Sequence, residues 1–333
     1  EGNSKSGSRS LAINYKHLAV GRVAHVSTPT FIPSKEIATY FAKRGYRLLA
    51  SPTIYSGQTM KARFVADGNN KQPVQVRIYL KHYDNNDGLS MIANDPVTLA
   101  AGQDHDFEWV VPNTKGYPIA FVGLEIVGNN GASGTLYLDY LTWDGAPNTE
   151  LGRPYERDLS RLGRGEGPIM WKSAWVDGID SRERLTELDF YPETYRLIQN
   201  EGRGLLMQGT REWKDYQVTA QMTPHMCKAG GIGARVQGMK RYYALLCDTE
   251  KTRLVQTLEG KDTVLAEADQ GWTFGRSYEL TLKVVGNKLA GLVDGKVVVE
   301  AADPDNAFTG GAIALISEVG RIGCAYAEVK PLD

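Results

Sequence analysis

The chain has 333 residues, with 38 basic against 39 acidic side chains and a formal net charge of -1. That balance excludes the strong basic field of a protein that lives by phosphate contacts, although a local patch stays open. No apolar run reaches the roughly 18 residues of a membrane-spanning helix. The length admits one large or two ordinary domains, and 36 glycines without a G-x-y period suit many tight turns.

The chain opens with Glu1 and a Gly/Ser/Lys run to Ser10, without an initiator methionine or a hydrophobic signal core. This reads as a processed or excised product. The first forty residues carry little periodicity. Pro33-Ser34, then Ile37, Tyr40 and Phe41, with Gly45 beyond, predict a short helix over Lys35 to Lys43.

The period then changes from 3.6 to 2. Met60, Ala62 and Phe64 alternate with Lys61 and Arg63, and Val74, Val76, Ile78 and Leu80 alternate with Gln75, Arg77, Tyr79 and Lys81. Phe107, Trp109 and Val111 repeat the spacing, as do Leu136, Leu138 and Tyr140. Ile119 to Val127 is apolar on both parities except at Glu125, which predicts a strand covered on both sides. An all-β domain over residues 1–147 follows, with an irregular N-terminal segment. Residues 148–168, with their glycines, prolines and balanced charges, read as a linker. A short helix over Glu156 to Leu162 is weakly indicated, and Arg153, Arg157, Arg161 and Arg164 lie in this stretch.

Residues 169–333 repeat the strand pattern more cleanly. Tyr216, Val218, Ala220 and Met222 alternate with polar residues, as do Ile232, Ala234 and Val236, and Tyr278, Leu280, Leu282 and Val284. Lys288–Val293, Asp294-Gly295 and Lys296–Glu300 read as a hairpin closed by a type I′ turn. The fold class is all-β, two antiparallel β-sandwiches with few short helices.

Chemical motifs are scarce. No G-x-G-x-x-G, Walker A, H-E-x-x-H or G-x-S-x-G pattern can be placed. Cys227, Cys247 and Cys324 fit no zinc or redox spacing and read as buried thiols. His17, His25, His82, His105 and His225 match no compact metal motif. Glu125, which breaks an apolar strand, and Asp139 are candidates for a glycosidase acid and its partner carboxylate, with a structural place near a calcium ion, an arginine or an exposed edge as the alternative. Asp84, Asp87, Asp139, Asp303 and Asp305 are candidate calcium ligands, with Asx turns as the alternative.

Arg235 and Gln237 lie beside Arg241-Tyr242-Tyr243. Guanidinium offers a rigid fork of donors and tyrosine offers contact area at modest entropic cost, which suits a sugar. Core packing of the same residues is the alternative. Trp213 and Trp272 follow turn-like segments, where a tryptophan plugs the core or, if exposed, stacks on a sugar. Arg77, Tyr79 and Lys81, beside the loop from Tyr83 to Asp87, give a second candidate surface.

Residues Gly204 to Val329 resemble the concanavalin A-like, laminin-G-like sandwiches of bacterial carbohydrate-active proteins. The matching segments include Trp213-Lys214-Asp215-Tyr216, Ala234-Arg235-Val236-Gln237-Gly238, Arg241-Tyr242-Tyr243-Ala244-Leu245 and Val293-Asp294-Gly295. Gly134 to Leu141 resembles the closing strand of a carbohydrate-binding jelly roll. The ordered pair also resembles the region after the catalytic domain in some bacterial ADP-ribosylglycohydrolase-like proteins, where an all-helical domain binds magnesium and performs catalysis. No such helical domain is visible here. The resemblance implies a non-catalytic region of a larger glycan- or ADP-ribose-processing protein, binding an oligo- or polysaccharide or docking an upstream catalytic domain. It also implies an extracellular or periplasmic setting, while the charge balance speaks against a nucleic-acid partner and the loop carboxylates admit, at most, structural calcium. A glycoside hydrolase with a cleft between the domains and a purely structural or protein-binding pair are the alternatives.

Overall fold

The computed structural model describes residues 4–5, 7–32, 50–128, 131–154, 168, 170–183, 194–305 and 308–332. The helices expected at 35–43 and 156–162 lie outside these residues, as do Arg157, Arg161 and Arg164. Strands form where alternation predicts them. The first nine are β1 (Leu11–Leu18), β2 (Val23–Pro29), β3 (Thr59–Ala66), β4 (Val74–Tyr83), β5 (Leu89–Ala93), β6 (Val97–Leu99), β7 (Asp104–Val110), β8 (Ile119–Val127) and β9 (Ala132–Asp144). They make two antiparallel sheets, β1-β9-β3-β7 and β2-β8-β4-β5, with β6 added to β4.

Met60, Phe64, Val76, Ile78, Leu80 and Leu136 face inward between these sheets and are fully buried. Each such side chain contributes about 1.5–3 kcal/mol by leaving water. Period two therefore turns Lys61, Arg63, Arg77 and Lys81 outward, away from that core.

The remaining strands are β10 (Thr149–Glu150), β11 (Val176–Gly178), β12 (Ser181–Glu183), β13 (Tyr195–Gln208), β14 (Tyr216–Gly238), β15 (Arg241–Cys247), β16 (Thr252–Leu258), β17 (Lys261–Ala268), β18 (Tyr278–Val285), β19 (Lys288–Val293), β20 (Lys296–Ala302) and β21 (Ala312–Pro331). A single turn of helix, α1 (Met170–Ser173), precedes β11. These strands form one continuously hydrogen-bonded antiparallel network that folds over on itself. The first part of β14 pairs with β18 and the last part with β15, while β21 runs beside both parts. Two of the three register shifts along the β14–β21 pair, at Ala220/Met222 and Pro224/Met226, fall where β14 leaves β18 and runs on towards β15. Leu245, Leu254, Leu282 and Leu315 fill the space between the layers.

The Asp-Gly hairpin forms as read. Asp294 and Gly295 have φ of +50° and +76°, the left-handed pair of a type I′ turn between β19 and β20. Residues 149–150, read as linker, instead form β10 and pair with Val329 and Glu328 of β21.

The two sandwiches meet through apolar contacts. Tyr55 packs edge-on to Trp213 with ring centroids 4.8 Å apart. Phe31, Tyr83 and Tyr117 cluster with Met170 and Ala174. The cavity at this junction, lined by Tyr55, Thr114, Tyr117, Thr149, Leu151 and Gln208 among others, is only about 10 Å³. That is room for about one water molecule, far below a sugar ring.

Candidate ligand-binding face

On the outer side of the β2-β8-β4-β5 sheet, three residues stand directly opposite one another. His25 on β2 is the cross-strand partner of Glu125 on β8, which is in turn the partner of Arg77 on β4. Directly opposed side chains sit about 4.5–5.5 Å apart at Cβ, close enough for charges to pair. The Arg77 Nε donates to Glu125 Oε1 at 2.6 Å, and the His25 Nε2 lies 2.8 Å from Oε2. The carboxylate is only 3 % exposed, whereas the Arg77 and His25 side chains are 31 % and 36 % exposed. Glu125 is thus a buried anchor that orients two half-exposed donors.

The next row is packed beneath this one. Tyr79 stands opposite Gly123, and a Cβ at Gly123 would lie 2.5 Å from the tyrosine ring. Only glycine lets that ring lie across β8. The Tyr79 ring is 5.1 Å from His25, with the Lys81 Nζ 5.7 Å from its centroid. Tyr79 is 1 % exposed, so it is packed beneath its neighbours rather than offering the stacking surface its place in the sequence suggested.

Other expected site residues take different positions. Arg235 is 2 % exposed, and its side chain donates to the carbonyls of Lys214 (3.1 Å), Gly286 (2.6 Å) and Phe308 (2.9 Å) and to Asp215 Oδ1 (3.0 Å). Its φ is +49°, and the β14–β21 register shifts between Gly233 and Val236. This bulge turns Arg235 inward, against the simple alternation. Gln237 donates to the Gly310 carbonyl. Tyr243 lies in the sandwich core with its hydroxyl donating to Asp303, and burial, followed by that bond, pushes its pKa up to about 12. Arg241 pairs with Glu259 and lies over the Phe308 ring. The platform expected from Arg235, Gln237, Tyr242 and Tyr243 is therefore not assembled at the surface.

Tyr242 belongs to a second apolar layer outside β13, β14, β15, β16 and β21, with Leu205, Ala244, Leu246, Ala314 and Ile316. Across it, Arg203 donates to the Tyr242 hydroxyl at 3.1 Å and pairs with Asp262 at 2.8 Å and Glu318 at 3.0 Å. Burial opposes the Arg203 charge, but Tyr242 and Asp262 outweigh it and hold the guanidinium above its ordinary pKa. Lys228 also pairs with Glu318. These four charged groups pair with one another.

Trp213 is fully buried at the junction and Trp272 is buried as well, so neither offers a stacking surface. Tyr83 packs edge-on against Phe31 at 6.2 Å, also at the junction. Glu125 and Asp139 lie on the outer faces of opposite sheets, with a core between them. Asp139 accepts from Ser4 Oγ and the Lys5 amide and sits 3.6 Å from Arg63. The two carboxylates therefore cannot flank one glycosidic bond.

The candidate calcium ligands serve turns and packing. Asp84 accepts from the Asn86 and Gly88 amides and from Ser90, the Asn86 amide doing most to hold its pKa below the ordinary value. Asp87 accepts from the Met170 amide, and Asp303 from Tyr243, Gln256 and the Asp305 amide. Among the described residues no group of three or more His, Cys, Asp or Glu side chains is placed to hold a metal ion.

No protein-family model and no curated protein matches the chain. Solved structures do. Carbohydrate binding module CBM66 from Bacillus subtilis is similar at 16 % identity over 47 % of this chain and 94 % of that one, with a TM-score of 0.41. A Bacillus subtilis protein of unknown function with a galectin-like fold is 11 % identical over 47 % and 89 %, at 0.36. The Caenorhabditis elegans galectin LEC-6 is 12 % identical over 35 % and 83 %, at 0.30. Side-chain placement, rather than this likeness, bears on function.

The sequence pointed to Glu125 as an interruption and to Arg77, Tyr79 and Lys81 as a polar face, but not to His25. β2 is exposed at six of its seven positions, so no alternation reveals it.

Proposed function

We propose that the chain is a non-catalytic pair of β-sandwiches that holds a carbohydrate on the outer face of the β2-β8-β4-β5 sheet. The supporting observation is the row His25–Glu125–Arg77, in which a buried carboxylate fixes two donors that stay half exposed. Prealigned donors suit sugar hydroxyls, because less side-chain freedom is lost on binding. In this reading the chain serves a larger glycan- or ADP-ribose-processing protein by retention or docking, and it performs no bond cleavage itself. A purely structural role is the second reading, favoured by the apolar junction of Tyr55 with Trp213.

A glycan array probed with the chain and with Arg77→Ala tests this. Retention of defined glycans that the variant loses is the expected result. Retention on no glycan, or retention unchanged in the variant, would sink the proposal and favour the structural reading.

A further inference from the structure

The charge of the same face narrows the class of carbohydrate. At the outward positions of β2, β4, β5 and β8 the permanently charged side chains are Arg77, Lys81 and Glu125, with His25 beside them. Glu125 is buried and satisfied on both oxygens. Glu125 offsets the charge of Arg77, the groups that reach solvent are Arg77, Lys81 and His25, and the excess positive charge of the face is that of Lys81.

The guanidinium geometry sharpens this. Arg77 uses Nε and Nη2, one edge of its planar fork, on Glu125 Oε1. Nη1 has no hydrogen-bond partner among the described residues, so the edge formed by Nη1 and Nη2 is available to a second acceptor. A fork edge matches a carboxylate bidentately, and charge-assisted bonds are stronger than those to a hydroxyl. Lys81 stands further along β4 on the same side and adds a second positive charge. We infer that the ligand is an acidic glycan whose uronate carboxylate docks on the outer edge of Arg77, with Lys81 and His25 beside it. This rests on the carbohydrate-binding reading of the same face.

Affinity electrophoresis of the chain through hyaluronate, alginate and polygalacturonate, each against its carboxyl-reduced form, tests the inference, with dextran sulfate as a control for unspecific charge attraction. At least one uronate polymer should retard the chain, its carboxyl-reduced form at least about 10-fold less. Arg77→Gln should lose that retardation. Lys81→Gln, which removes no bond to Glu125, should weaken it about 3-fold, with its melting temperature checked against the parent. Equal retardation by native and reduced polymers overturns the acidic class while leaving carbohydrate binding standing. Equal or stronger retardation by dextran sulfate overturns it as unspecific attraction. No retardation by any native or reduced polymer overturns the acidic class, while the glycan array decides the carbohydrate reading itself.

Discussion

Replacing Arg235 by alanine separates a core role from a ligand role. Alanine keeps a Cβ at the left-handed φ of +49°, so the backbone cost is nearly unchanged and the effect comes from the side chain. Three carbonyls, those of Lys214, Gly286 and Phe308, lose their donor. The Phe308 carbonyl is buried, and orphaning it costs about 1–3 kcal/mol, whereas the Lys214 and Gly286 carbonyls belong to exposed residues and water replaces much of their lost bond. The pair with Asp215 adds little, because that carboxylate is 43 % exposed and solvent screens it. The lost packing of a 2 % exposed side chain brings the total to about 3–5 kcal/mol. For a body of this size that lowers Tm by roughly 6–15 °C. Differential scanning calorimetry of the whole chain measures it, alongside glycan retention at temperatures where the variant is folded. A Tm within about 2 °C of the parent, or lost retention in a fully folded variant, would refute the structural assignment and return Arg235 to the surface.

Two further outcomes are expected. Burial pushes the Cys227 and Cys247 thiols up to about 12, and Cys324 is fully enclosed, so a thiol reagent at about pH 8 should react with none in the native chain and with all of them after denaturation. The Arg63 guanidinium bonded to Asp104 holds that carboxyl below its ordinary value; its stabilisation is present above the unfolded carboxylate pKa and is lost as pH falls through the folded one. Melting curves of Asp104→Asn and the parent should therefore differ near neutrality and converge in strong acid, and a gap that persists there contradicts the pairing.

Legibility followed burial. β18, β19 and β20 are found at their expected bounds or within two residues, because one side of each strand is held against a core and the sequence records that constraint, and β8 is found at its bounds because both of its sides are buried. β1 and β2 escaped because their outward positions dominate, and with β2 went His25. The candidate site was half legible for a related reason. Alternation says which residues share a side, but not whether another layer covers it. Adjacent Tyr242 and Tyr243 point to opposite sides of β15, yet both are buried, one in the outer apolar layer and one in the core. At Arg235 the bulge reverses the parity, so a strand-like spelling placed the side chain on the wrong side.

The position of β21 has a consequence for how the chain is made. Residues 312–331 lie between β13 and β14, which begin more than a hundred and nearly a hundred residues earlier, respectively. During synthesis both older segments must wait, each with an open backbone edge, until this late piece emerges and zips between them. Assembly of the second half is therefore dominated by distant pairings, the slow regime of β-rich folding, and the interval of waiting is when mispairing between neighbouring nascent chains is most favoured.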